Sequence, residues 1–424
     1  MALKCDLVLK NVSLTDGTIK DISIKNGHVI HSGSQIRSDF SIDCSGYTCI
    51  PGAVDMHVHM RGGDSQSYKE TWESGSKSAL AGGVTTVIDQ PNTIPPIIDY
   101  ESFTKRVNEA KEQSYCNFGI NGSVIPGGDI YAMYKAGAIA FGETFFAESS
   151  YGSAVDSKFL KEAFKELIKL NALATIHAEI INSGDDCSII QHESLRSCEN
   201  ETLAVKTVLD LAPGDLRLHF CHLSSPQSID LVACNENATF EIMPHHLFLS
   251  VEMFEENDGR AKVNPPVRHE DVRKSLWAKW NEIDVIASDH APHTFSEKTD
   301  NTFSAIPSGI PGVETMIPLL MNQVSEKKIT LQSVIEKTVY NPSKILRIKF
   351  SGYTPGCIGD FALYPDKSIK IESDSLHSKA GWTPYEGMKA VFPDIIIIGG
   401  NIVYDRGEFF KGYGRTVKGN GYIA

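Results

Sequence analysis

The sequence predicts an α/β chain, a (β/α)8 TIM-type barrel with a small composite β domain formed by its N- and C-terminal segments. Three observations predict it. A strand–helix–strand rhythm runs from Cys49 to about residue 340, short strands and turns precede and follow it, and no glycine-rich dinucleotide fingerprint supports a doubly wound open sheet, the runner-up. A barrel of this kind needs about 250 residues, and the 424 residues of this chain leave room for a companion. The expected division is 1–50 for the N-terminal part of the β domain, 51–345 for the barrel and 346–424 for the C-terminal part.

In the first fifty residues Leu7-Val8-Leu9 and Asp21-Ile22-Ser23-Ile24 have strand texture, with Asp16-Gly17 and Asn26-Gly27 as hairpin turns. Residues 49–57 then read as an apolar strand, 68–80 as a helix, Gly82-Gly83 as its stop and 84–89 as the next strand. Further strands are expected at 117–122, 138–141, 172–177, 217–222, 239–243 and 284–288, with helices at 158–171, 228–234 and 331–339. Asn341-Pro342 is expected to break the last helix. Strands resume at 359–364 and 394–398, and Gly399-Gly400-Asn401 supplies a hairpin turn.

Composition narrows the function classes. With 41% hydrophobic and 22% charged residues the chain is globular rather than disordered. Its formal charge is −13 and its basic residues are scattered, which argues against nucleic acid or anionic lipid as a partner. An anionic substrate would need positive charge placed locally at its site. The opening Met1-Ala2-Leu3-Lys4-Cys5-Asp6 lacks the apolar core of a signal peptide, and 395–398 is too short to span a bilayer. Nine cysteines without CxxC spacing suggest reduced thiols and a cytoplasmic setting. Cys221, beside His222, reads as a small buried core thiol.

The chemistry lies at the strand ends. His57-Val58-His59 closes one strand, and alternation puts both imidazoles on one face. His177, His222 and Asp289 end three others. Singly, each has a plainer reading: a hydrogen-bonded structural histidine, or an aspartate capping the next segment. Jointly, four strand ends deliver imidazole or carboxylate to the C-terminal mouth of the barrel, where the active sites of this architecture sit. Nitrogen and oxygen ligands without thiolate suit zinc, with manganese, cobalt or iron as alternatives. His245 and His246 stand outside the metal set, and His28, His31, His192 and His377 read as surface or loop residues.

The ordered segments Pro51-Gly52-Ala53-Val54-Asp55-Met56-His57-Val58-His59, Ala81-Gly82-Gly83-Val84-Thr85-Thr86, Ser288-Asp289-His290-Ala291-Pro292-His293 and Asn341-Pro342-Ser343-Lys344-Ile345 resemble the amidohydrolase superfamily over nearly the whole chain. Within it, the cyclic amidohydrolases, and dihydroorotases in particular, are the most similar family. The resemblance implies Arg61, Asn92, Asn264 and His293 as substrate-binding residues and Asp289 as the catalytic aspartate. Where many relatives carry a carboxylated lysine to bridge two metals, this chain has Glu143, expected as a bridging or single-metal ligand. The implied metal set is His57, His59, Glu143, His177, His222 and Asp289, holding one or two Zn2+. A second departure is Gly62-Gly63-Asp64 after Arg61, where family members have an acidic residue, proline and glycine.

The implied reaction is reversible closure of N-carbamoyl-L-aspartate to L-dihydroorotate, with Asp289 moving the proton. A homodimer and association with aspartate transcarbamoylase are implied as partners. Allantoinase and hydantoinase are the rival enzymes, but Arg61 favours a carboxylate-bearing substrate. A non-catalytic assembly protein of the same fold is a third reading, at odds with a full set of metal histidines. The polar stretch 296–308 is expected to be a substrate lid or a long barrel loop.

Overall fold

Eight parallel strands close into a ring around the candidate site. The computed structural model describes residues 4–33, 36–38, 40–146 and 155–423, so the expectation drawn on Met1-Ala2-Leu3 lies outside the described residues. Strands β1 (Ala53–Val58), β2 (Val84–Asp89) and β3 (Asn117–Ile120) pair in that order. Strands β4 (Phe141–Phe145), β5 (Leu173–His177), β6 (Arg217–Phe220), β7 (Ala238–Ile242) and β8 (Val285–Ile286) form a second parallel run. Bridges Gly122↔Phe141 and Val58↔His290 join the two runs at both seams. An open doubly wound sheet would leave two edges there, so the barrel reading holds. Residues of β1, β2 and β3 are buried on both faces, as in a parallel sheet covered by helices.

Helix α1 (Trp72–Gly82) begins later than the expected residue 68. Thr71 caps it in a reciprocal capping box with Ser74, which fixes the start by hydrogen bonding rather than by apolar spacing. It ends at Gly83, whose φ is +94°. A Cβ there would lie 1.7 Å from the Tyr364 hydroxyl, so this helix stop is also a close approach to the small domain. The strand expected at 138–141 instead runs Phe141–Phe145. Pairing with β5 in register Phe141↔Ala174 sets this ladder, and it carries Glu143 inside the strand. Asn341-Pro342 is no break: a π-helical turn, Glu336–Tyr340, leads directly into helix Asn341–Leu346. Pro342 sits in the first turn of that helix, where no backbone N–H is required.

The two chain ends share one sheet. Tyr47–Pro51 pairs with Phe361–Pro365, followed outward by Ile395–Ile398, Asn401–Asp405 and Glu408–Phe409. Alternation along these strands divides their side chains between two cores. Phe361, Leu363, Ile395 and Ile397 pack with Leu7, Leu9, Ile22 and Ile24 of a four-stranded N-terminal sheet, while Ala362, Tyr364, Ile396 and Ile398 join the barrel core. The Tyr364 hydroxyl donates to the Gly82 carbonyl at 3.0 Å, tying sheet to barrel.

Residues 296–308 are held by three buried side chains, Lys298, Phe303 and Ile306, while most of the others are exposed. The stretch includes most of a short helix, Phe295–Thr299, and a 3-10 turn, Phe303–Ala305. Lys298 is fully buried and donates to the carbonyls of Lys262 and Pro307 at 2.9 and 2.8 Å. All nine cysteines are free thiols. Among the described residues no helix is long and apolar enough to cross a membrane.

Candidate metal centre

The strand ends converge. His57 lies in β1 and His59 just past it, Glu143 lies in β4, His177 ends β5, and His222 and Asp289 follow β6 and β8. Donor atoms of His57, His59 and Asp289 all lie within 4.8 Å of one another, and so do those of His57, Glu143 and His222. His59 Nε2 is 3.1 Å from Asp289 Oδ1, and His57 Nε2 is 3.6 Å from both Asp289 Oδ1 and Glu143 Oε2. Glu143 Oε1 receives His177 Nδ1 at 2.9 Å and His222 Nε2 at 2.6 Å. Glu143 thus stands between a His57–His59–Asp289 group and a His177–His222 pair, the six residues expected from the sequence. Gly142 makes room for this: a Cβ there would lie 2.0 Å from the Thr175 carbonyl oxygen.

The donor set fits a divalent cation. All six side chains are buried, and His57 Nε2 has no hydrogen-bond partner among the described residues. Burial alone would raise the carboxyl of Glu143, but the surrounding His57, His177 and His222 hold it well below the ordinary range. Asp289 is likewise held low, against its burial, by His59 and the neighbouring imidazoles. Burial opposes charge on His57 and His177, yet Glu241 and Glu143 raise the first well above its ordinary value, and Glu143 and Glu179 raise the second to about 9. Burial depresses His59 despite Asp289 beside it. The carboxylates therefore demand positive charge, which protons on the imidazoles or a bound cation can supply in competition.

Of the four residues expected on the substrate side, Arg61, Asn92 and Asn264 line one mouth and His293 does not. His59, Arg61, Asn92, Glu143, His177, Asn264, Asp289 and Ser308 face a common cavity. Both amide atoms of Asn92 are buried without a hydrogen-bond partner among the described residues, leaving it a donor and an acceptor to offer. Asn264 Oδ1 accepts from Ser308 Oγ at 3.2 Å and lies 2.9 Å from His192 Nε2. His293 Nε2 is 3.4 Å from Arg61 Nη2. The glycine pair after Arg61 is anchored: Gly63 N–H donates to Glu109 at 2.9 Å, and a Cβ on Gly62 would collide with that carboxylate at 2.5 Å. Glycine here admits an acidic neighbour from helix Tyr100–Gln113, with φ of +78° and +61° at the two positions.

Sequence reasoning missed four residues. Glu241 in β7 accepts from His57 Nδ1 at 2.5 Å, and Glu179 lies 3.3 Å from His177 Nε2. Lys69 Nζ lies 3.0 Å from His293 Nδ1. His192, expected at the surface, is buried, with Nδ1 at 3.0 Å from Asp186 and Nε2 on Asn264. Its short helix, Ile189–Leu195, turns it inward, a matter of packing rather than composition. For Glu241 and Glu179 a signal existed, since both stand on or just after barrel strands as the ligands do. His245 and His246 are buried beside the centre but fall in none of the metal-holding groups found among the described residues.

Residues 48–403 match the amidohydrolase family. The chain is 39% identical to a dihydroorotase of Methanosarcina acetivorans, covering 93% of this chain and 92% of that protein. It is 33% identical to a dihydroorotase of Halobacterium salinarum, covering 97% and 99%. Among solved structures, an L-hydantoinase (dihydropyrimidinase) from Arthrobacter aurescens superposes with a TM-score of 0.91 at 26% identity, covering 98% of this chain and 100% of that one.

Proposed function

The chain belongs to the amidohydrolase family, and from that premise we propose that it is a dihydroorotase. It is a hydrolase of cyclic amides, interconverting N-carbamoyl-L-aspartate and L-dihydroorotate, a step of pyrimidine synthesis. The observation that carries the substrate is Arg61 lining the same mouth as His59, Asp289 and Asn92. An arginine fork matches a carboxylate, and in a chain of charge −13 it supplies the local positive charge that an anionic substrate requires.

His57, His59 and Asp289, with His177, His222 and a shared Glu143, would hold one or two Zn2+. Bound there, zinc would polarise the ring carbonyl and bring the pKa of water towards neutrality. The remaining work falls to the chain. Arg61 and His293 hold the substrate carboxylate, and Asn92 and Asn264 hydrogen-bond the ring. Asp289, kept ionised by His59 beside it, takes the proton from the attacking water and returns it to the departing ring nitrogen. In the reverse direction Asp289 removes a proton from the carbamoyl nitrogen as the ring closes. The catalytic unit is residues 51–345, the setting is cytoplasmic, and the assembly is a homodimer able to associate with aspartate transcarbamoylase.

The superposition on a hydantoinase keeps a neutral ring as the second reading. Hydrolysis of L-dihydroorotate by zinc-supplemented protein, with hydantoin and allantoin in parallel, separates the two. Turnover of L-dihydroorotate alone, lost with a chelator and restored by zinc, is expected. Turnover of a neutral ring instead would keep the metal chemistry and overturn the substrate.

A further inference from the structure

His293 has more neighbours than one tautomer of a neutral imidazole can satisfy. Its Nε2 lies 3.1 Å from the Ser308 carbonyl oxygen, an acceptor, and 3.4 Å from Arg61 Nη2, a donor. Its Nδ1 lies 3.0 Å from Lys69 Nζ, a donor, and 3.6 Å from Glu297 Oε2, an acceptor. Two arrangements are self-consistent. In the first, Nε2–H donates to Ser308 and Nδ1 accepts from Lys69. In the second, Nδ1–H serves Glu297 and Nε2 accepts from Arg61.

The first has the shorter contacts, 3.1 and 3.0 Å against 3.4 and 3.6 Å. Lys69 is also fixed where it is needed: its Nζ pairs with Glu297 Oε1 at 2.9 Å, and Tyr68 donates to the same oxygen at 2.9 Å. The Trp382 indole, donating to the His293 carbonyl at 2.8 Å, anchors the histidine from behind. Burial, with the charges of Arg61, Lys69 and Lys298, outweighs Glu297 and brings His293 down to about 3, so the ring is neutral and its tautomer matters.

The tautomers differ in what they present to an anion. His293 does not itself line the mouth, but Nε2 is its ring nitrogen beside Ser308 and Arg61, which do. An Nε2–H adds a donor beside the guanidinium. A bare Nε2 would point a lone pair at the carboxylate and take an Arg61 N–H for itself.

We propose that Lys69 is a positioning residue that fixes His293 as the Nε2–H tautomer, so that the proton given to the Ser308 carbonyl in this structure is shared with, or turned to, the substrate carboxylate beside Arg61. This rests on the reading of a carboxylate-bearing substrate. Glu297 is the group Lys69 works against: without the lysine, it draws the proton to Nδ1.

Steady-state kinetics of the zinc-loaded enzyme test this with Lys69→Met, Lys69→Arg and the double variant Lys69→Met/Glu297→Gln. Lys69→Met should raise KM for L-dihydroorotate about tenfold or more with a much smaller change in kcat. Lys69→Arg should stay near wild type, and the double variant should recover most of the loss. An unchanged KM in Lys69→Met, or no recovery in the double variant, overturns the proposal. Histidine 15N NMR gives a second readout that needs no turnover: His293 should carry its proton on Nε2 in the wild type and on Nδ1 in Lys69→Met. If the wild type neither binds nor hydrolyses L-dihydroorotate, the substrate reading falls, and the part of the proposal built on it falls with it. The tautomer would still decide the role of Lys69, and an Nε2–H retained in Lys69→Met would overturn that role as well.

Discussion

Glu241 and His57 meet at 2.5 Å, Oε1 accepting from Nδ1, in a region where both are buried. The contact leaves Nε2 of His57 as the atom facing Glu143 and Asp289, each at 3.6 Å. Outer carboxylates of this kind orient a ligating imidazole and raise its basicity. His219 Nε2 lies 3.4 Å from the other Glu241 oxygen without a hydrogen bond between them.

Glu241→Gln should therefore weaken metal binding by about 10- to 100-fold while leaving the barrel folded. Titration of the metal-free protein with zinc against a chromophoric chelator measures it. Wild-type affinity in the variant would remove Glu241 from the site.

In the proposed reaction, proton transfer depends on Asp289. Asp289→Asn keeps the size and a donor oxygen but cannot accept the proton, and kcat for L-dihydroorotate should fall by about 10²- to 10⁴-fold. KM should move far less. Metal content measured on the same sample separates lost proton transfer from lost ligation.

In the proposed reading Arg61 bears on substrate choice rather than on chemistry. Arg61→Gln should lower kcat/KM for L-dihydroorotate by about 10- to 100-fold, the value of one charge-assisted hydrogen bond, mainly through KM. Any turnover of uncharged dihydrouracil should be unaffected. Equal losses on both rings would show that Arg61 holds the loop rather than the carboxylate.

The candidate ligands were legible because strand alternation and the barrel rule turn sequence position into direction. His57, His59, His177, His222 and Asp289 each stand at or just past a strand, and such positions point to one mouth. Glu143 was legible only through register within a resembling family, since the strand itself was placed at 138–141. Its ladder depends on the Phe141↔Ala174 pairing, which local hydrophobicity does not encode. Lys69 and His192 lie outside any strand, and what they touch comes from elements 224 and 72 residues away. Pro342 misled because proline ends a helix from within but is welcome in a first turn.

His246 makes one contribution of known sign to how stability responds to acid. His246 is fully buried with Nε2 at 3.2 Å from the Pro265 carbonyl. Burial brings it down to about 3 from an unfolded value of 6.5. Between those values the unfolded chain binds a proton that the folded protein refuses. Unfolding free energy therefore rises with pH across this window, and the stability is present above about pH 6.5 and lost progressively as pH falls towards 3. One such group contributes a slope of about 1.4 kcal/mol per pH unit. His246→Gln keeps a donor for Pro265 and removes the titration, so its stability should fall less steeply than that of the wild type between pH 6.5 and 4.5. Denaturant unfolding of both metal-free proteins across that range measures the difference in slope. Parallel curves would mean that His246 is already protonated in the folded state, with a partner other than the Pro265 carbonyl.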